Sequence, residues 1–125
     1  MGKIVLSVGQ CSGDHAAIAR MLAKHFKVEV RRSALAEDTL RTLRSMRVGL
    51  VLVNRILDAD GSEGLELIRQ IKRSSDLAGI PVMLVSNYPE HQATAISAGA
   101  EPGFGKDELY GRQTQEKLGR FLEAK

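Results

Sequence analysis

Three short apolar runs, at residues 3–8, 48–53 and 81–86, are rich in Val, Leu and Ile and bounded by Gly or polar residues. Runs of this length without alternation predict strands buried on both faces. Residues 28–30, Val-Glu-Val, alternate apolar with polar as a strand nearer a sheet edge does, and a glycine-rich stretch around Phe104 supplies a fifth strand. Between the strands apolar positions recur at helical spacing: Ile18, Met21, Leu22 and Phe26, then Leu40, Leu43 and Met46, then Leu65, Ile68 and Ile71. A fourth helix takes Pro89 in its first turn, carries Ala93 and Ile96 inward and stops at Gly99. A fifth spans 108–124 with Thr114, Leu118, Phe121 and Leu122 facing in.

Strict alternation of short strands with helices calls for a parallel sheet covered on both faces, because each parallel pair needs a right-handed crossover. The predicted architecture is therefore α/β, a doubly wound (βα)5 domain over residues 1–125. Ligands of such folds meet the carboxyl ends of the strands near the point where strand order reverses, which directs attention to the loops after strands one, three, four and five.

Composition narrows the function classes. With 43% hydrophobic and 26% charged residues the chain matches soluble globular domains, and it has no repeat or low-complexity stretch. Its apolar runs are too short to span a bilayer and no signal-peptide pattern precedes the first, so a cytoplasmic protein without membrane contact is expected. The single Cys11 excludes an internal disulfide. Lys plus Arg outnumber Asp plus Glu by 18 to 15, but these charges are scattered and only 4% of residues are aromatic. That pattern predicts a solvated surface and no nucleic-acid binding by this domain.

Five pieces stand in a fixed order: a strand ending at Asn54, Gly-Leu-Glu-Leu at 64–67, Ile-Pro-Val-Met-Leu-Val-Ser at 80–86, Ser-Ala-Gly-Ala at 97–100, and Lys106. In order and spacing they resemble the receiver domains of bacterial two-component systems, across essentially the whole chain. The resemblance implies a flavodoxin-like sheet of order 2-1-3-4-5 and a role in phosphorelay signal transduction. It also implies positions for a phosphoryl-transfer site: an acceptor aspartate ending strand three, an acidic pair after strand one for magnesium, and a Ser or Thr and a Lys that contact phosphoryl oxygens.

Carried over residue by residue, the resemblance describes a degenerate site, a pseudo-receiver. The acceptor position matches Asn54, a neutral amide that is a poor nucleophile. The acidic pair matches Gln10 and Cys11, or Gly9 and Gln10 with the loop shifted by one, and neither register supplies the carboxylate that magnesium prefers. Ser86 and Lys106 match the phosphoryl-contacting positions. Without phosphate their expected roles are local, the Ser capping a turn and the Lys bonding Asn54 or a strand-end carbonyl. Asp107 stands where the family usually has Pro, and Gly103 where many receivers carry a switch aromatic. Phe104, one residue along, points to the opposite face and reads as core. Asp14 reads as a helix-start residue. Asp58 and Asp60 read as a solvated acidic turn leading to a Ser62 helix cap, although either could stand in as acceptor.

Three rival chemistries fit the chain less well. The loop of residues 9–13 offers a glycine-bearing turn to a phosphate, flavin or nucleotide and resembles the flavodoxin phosphate loop, but it is poor in hydroxyls. For a flavin sandwich the chain holds no Trp and only Tyr88 and Tyr110. A cysteine phosphatase needs an Arg six residues after Cys11, where Ala17 stands. His15, His25 and His91 fall at helix-surface positions without paired spacing.

The expectation is a non-enzymatic signalling module with no cofactor and no metal, acting on protein partners. The family's usual interaction face, helix four, strand five and helix five, places His91, Gln92, Gln113, Glu116, Arg120 and Glu123 outward as partner-surface candidates, with a homodimer among the options.

Overall fold

The computed structural model describes residues 2–125. Its elements are β1 (Lys3–Val8), α1 (Ser12–His25), β2 (Val28–Ser33), α2 (Ala36–Ser45), β3 (Leu50–Asn54), α3 (Gly64–Arg73), β4 (Val82–Val85), α4 (Pro89–Ser97), β5 (Glu101–Phe104), a 3-10 turn (Lys106–Glu108) and α5 (Arg112–Gly119). The strands form one parallel sheet in the order β2-β1-β3-β4-β5. This is the doubly wound flavodoxin-like arrangement that the alternation and the resemblance imply. The Val-Glu-Val strand lies at the edge, where its outward residues reach water.

The two-residue period of the strands divides the core into two layers. Leu6, Val8, Val51, Val53, Val82 and Leu84 pack against Leu43 of α2, Leu67, Ile68 and Ile71 of α3 and Ala95 of α4. Val5, Leu50, Leu52, Met83, Val85 and Phe104 pack against Ile18, Met21 and Leu22 of α1 and against Leu118 and Leu122. Each fully buried Leu, Ile or Met contributes roughly 1.5–3 kcal/mol by leaving water. Phe104 is 3% exposed, the core position expected of it.

Two expected elements differ. The helix read over 108–124 is an α-helix only from Arg112 to Gly119. Gly111 opens it, and residues 120–125 turn back so that Ala124 bridges Phe26, Lys27 N–H donates to Glu123 O and Lys125 N–H to His25 O. Tertiary pairing has overridden a helical pattern that Leu118 and Leu122 alone continue. The inward face of α4 is not the expected one either: Ala93 and Ile96 are exposed, and Ala95 is the buried residue. Pro89 and Gly99 do bound that helix as expected, Gly99 with φ +108°.

Candidate functional site

At the carboxyl end of the sheet β3 delivers Asn54 to the centre of four loops. Its side chain is committed to backbone: Nδ2 donates to Gly9 O at 3.2 Å and to Ile56 O at 2.7 Å. Gly9 O also accepts the Asp58 N–H at 2.9 Å. The amide thus ties the loop after β1 to the loop after β3, and it does so as a donor, a part that an ionised carboxylate has no hydrogen to play.

The loop between β3 and α3 closes on itself. Ile56 bridges Glu63, Leu57 N–H donates to Ser62 O, and Gly61 N–H donates to Leu57 O. The Asp60 carboxylate accepts the Ser62 N–H at 2.9 Å and the Ser62 hydroxyl at 2.6 Å, and these bonds hold its pKa below the ordinary value. Ser62 therefore stabilises the turn and does not cap α3, whose N-cap residue is Glu63 without a side-chain bond. Asp58 and Asp60 both face solvent.

In the first loop Gln10 is 2% exposed and its Nε2 donates to Val8 O at 3.4 Å. Cys11 is the N-cap of α1, its Sγ accepting the Asp14 N–H at 3.5 Å. Asp14 lies in the first turn, as expected, and there it receives Lys106 Nζ at 2.7 Å. That hydrogen bond is the main reason the Asp14 pKa is lowered, against partial burial and with help from Cys11. Lys106 was expected on Asn54 or on a strand-end carbonyl; a carboxylate within reach is the stronger acceptor and takes it.

Magnesium, which the fold family would bring here, does not fit these residues. Asn54 and Gln10 turn amide N–H groups to carbonyls, Cys11 offers sulfur, and the buried Gln10 Oε1 without a protein partner is a single neutral oxygen. A hard cation takes carboxylates. Among the described residues no three His, Cys, Asp or Glu side chains gather as a metal site.

Ser86, at the end of β4, accepts the Tyr88 N–H at 3.3 Å, the turn-capping role expected of it. Its Oγ also lies 2.8 Å from His91 Nδ1, and the Tyr88 ring packs edge-on against that imidazole at 5.1 Å. His91 is thus half-buried and engaged, where an outward and unpaired residue was expected. Gln92 also turns inward: Nε2 donates to Leu84 O at 2.9 Å and Ser86 O at 3.2 Å, and Oε1 accepts the Gly103 N–H at 2.9 Å. His15 and His25 are half-buried as well, each with one buried ring nitrogen lacking a partner.

Gln113, Glu116, Arg120 and Glu123 are exposed. Glu123 pairs with Lys27 at 3.3 Å, which places it beside the end of α1 and away from α4. Arg120 reaches Glu101 of β5 at 3.8 Å and lies over the Phe121 ring.

The phosphate-loop rival is not favoured. A phosphate at the start of α1 would meet the Asp14 carboxylate, and the two tyrosines lie against different partners, Tyr88 against His91 and Tyr110 against His25.

No family model matches the sequence. A curated protein, the two-component response regulator ORR6 of Oryza sativa subsp. japonica, is 35% identical over 103 residues, which are 78% of this chain and 58% of that protein's length. That relative is from a plant, so it does not support the bacterial origin expected from the sequence. Among solved structures the fold matches the signal receiver domain of a DNA-binding response regulator from Colwellia psychrerythraea 34H, with TM-score 0.78 and 17% identity over 94% of this chain and 96% of that one. It also matches a response regulator from Thermotoga maritima, with TM-score 0.77 and 22% identity over 97% and 98%.

Proposed function

The chain is a receiver domain of the response-regulator kind by fold and by sequence similarity, and we propose that it signals by binding protein partners without accepting a phosphoryl group at residue 54. The observation that carries this reading is the double donation by Asn54 to Gly9 O and Ile56 O. The side chain at the acceptor position is a neutral brace between two loops. Lys106, the cation that would meet the phosphoryl group, is held by Asp14. No carboxylate stands at Gln10 or Cys11 to bring a metal. The domain is then a non-enzymatic pseudo-receiver; no helix among the described residues is long and apolar enough to cross a membrane.

Incubation with acetyl phosphate and magnesium, followed by intact-mass measurement, tests this. No phosphoryl adduct is expected. An adduct mapped to residues 54–60 would make Asp58 or Asp60 the acceptor and overturn the reading.

The partner surface proposed is the face of α4, β5 and α5, with Gln113, Glu116 and Arg120 exposed on α5 and its end, and with Tyr88, Ala93 and Ile96 at α4 in place of His91 and Gln92. Self-association through this face is the simplest case to measure. Arg120→Glu sets like charge against Glu101 and is expected to weaken dimerisation in sedimentation runs while changing stability by less than about 0.5 kcal/mol. Unchanged association, with loss on substitution around Asn54, would move the surface to the old phosphorylation end.

A further inference from the structure

The pairing of β4 with β5 is irregular: Met83 is opposite Glu101 and Val85 opposite Phe104, so two steps on β4 face three on β5. Such a bulge leaves ladder groups without strand partners. Pro102 brings no N–H, and the Gly103 N–H and Leu84 carbonyl are both met by one side chain, the Gln92 carboxamide from α4. Its second N–H goes to Ser86 O. From the other side Lys117 of α5 donates to Gly103 O at 2.9 Å. A Cβ at residue 103 would overlap Leu84 O and stand 3.0 Å from Gln92 Oε1, so glycine is required here by the close β4 backbone, with the amide pressing beside it.

Besides this clasp, α4 is held by the Ser86–His91 contact at its start and by Ala98 packed on the core at its end, and its own apolar anchor is small. Its one buried residue is Ala95, while Ala93 is exposed and Ile96 is 44% exposed, so its apolar contribution is that of a methyl group. We propose that the Gln92 carboxamide is the latch that holds α4 to the sheet, and that α4 with the bulge of β5 is the unit of this domain able to lift while the core stays folded. The latch is a polar clasp on three backbone groups, and its bonds are made or broken together. For its consequence the inference rests on the partner surface proposed above: while the latch is closed, that face stays in one arrangement without phosphorylation.

Hydrogen exchange read by mass spectrometry tests the latch on the protein alone. In Gln92→Ala the amides of residues 93–98 and of Gly103 are expected to exchange about tenfold faster or more, while those of β1 and β3 keep wild-type rates. In Gln92→Glu the carboxylate can accept from Gly103 but cannot donate to Leu84 or Ser86, so α4 should quicken as in the alanine variant while Gly103 keeps part of its protection. Lys117→Met removes only the α5 contact and should loosen Gly103 without α4. Unchanged α4 exchange in both Gln92 variants overturns the latch, and so does equal acceleration through the whole domain or loosening of α4 by Lys117→Met. Failure here leaves the partner surface standing, because the sedimentation of Arg120→Glu reads that separately.

Discussion

Asn54→Asp is expected to lower stability by about 2–3 kcal/mol at neutral pH and still to leave the domain unable to accept a phosphoryl group. The carboxylate would face Gly9 O and Ile56 O, two acceptors that now receive the amide's N–H groups, with repulsion in place of two bonds. The folded state then disfavours the ionised form, and the pKa of the new aspartate rises above its unfolded value. A raised carboxyl pKa means that the folded state binds more protons, so the charge-dependent part of the deficit is absent below the unfolded value of about 4, grows above it and is complete above the folded pKa, while the neutral acid, with one O–H for two acceptors, keeps a smaller deficit throughout. Urea unfolding at pH 7 and near pH 4 should show the variant recovering part of its lost stability in acid. Labelling by acetyl phosphate should stay absent, because charge building on a transferring phosphoryl group would have no metal to neutralise it until acids are also placed at Gln10 and Cys11. A variant as stable as wild type at pH 7 would show that Asn54 is no brace, and one that labels efficiently would overturn the account of the loop after β1 as lacking what metal needs.

How far the sequence reveals such features depends on what holds each element. β1, β3 and β4 are apolar runs with both faces in the core, and their residue types announce them. The alternation in β2 announces its edge position in the same way. The face of α4 is misread from the sequence because apolar periodicity is the signal used, and this helix is seated by hydrogen bonds from a glutamine. Nothing in the type of Gln92 separates a solvated side chain from one bound to three backbone groups. Its trace in the sequence is indirect, Pro102-Gly103 within a short strand, a pairing that signals a bulge and thus ladder groups in need of partners.

The same limit applies at the site. Asn54, Gln10 and Cys11 are found by their place in a resemblance, which also shows what they lack. It does not show what replaces the lost contacts. The Lys106–Asp14 pair joins residues 92 apart, and it follows only once the fold has put α1 and the segment from β5 to α5 on the same face of the sheet.

Gly64→Ala is expected to destabilise the domain by about 3 kcal/mol, because α3 starts against the end of β3 with no room for a side chain. Gly64 is buried, its N–H donates to Arg55 O at 2.7 Å, and an added Cβ would overlap the carbonyl oxygen of Asn54 and stand 2.9 Å from Val53 Cγ1. The atoms it meets belong to the backbone and to a packed strand residue, so α3 must move as a body. Movement there shifts the Asn54 backbone too, and the bonds from its side chain to Gly9 O and Ile56 O should loosen with it. The glycine that opens the Gly-Leu-Glu-Leu segment thus has a steric reason, the close approach of helix to strand directly behind residue 54. Gly13→Ala is the control: nothing lies within 4 Å of its added Cβ, it sits in α1, and replacement should stabilise by about 0.5 kcal/mol. Urea midpoints of the two variants should move in opposite directions, and the Asn54 side-chain amide signals in NMR should broaden or shift in the first alone. If Gly64→Ala unfolds at the wild-type midpoint with those signals unchanged, α3 does not press on Asn54 and the brace needs no support from behind.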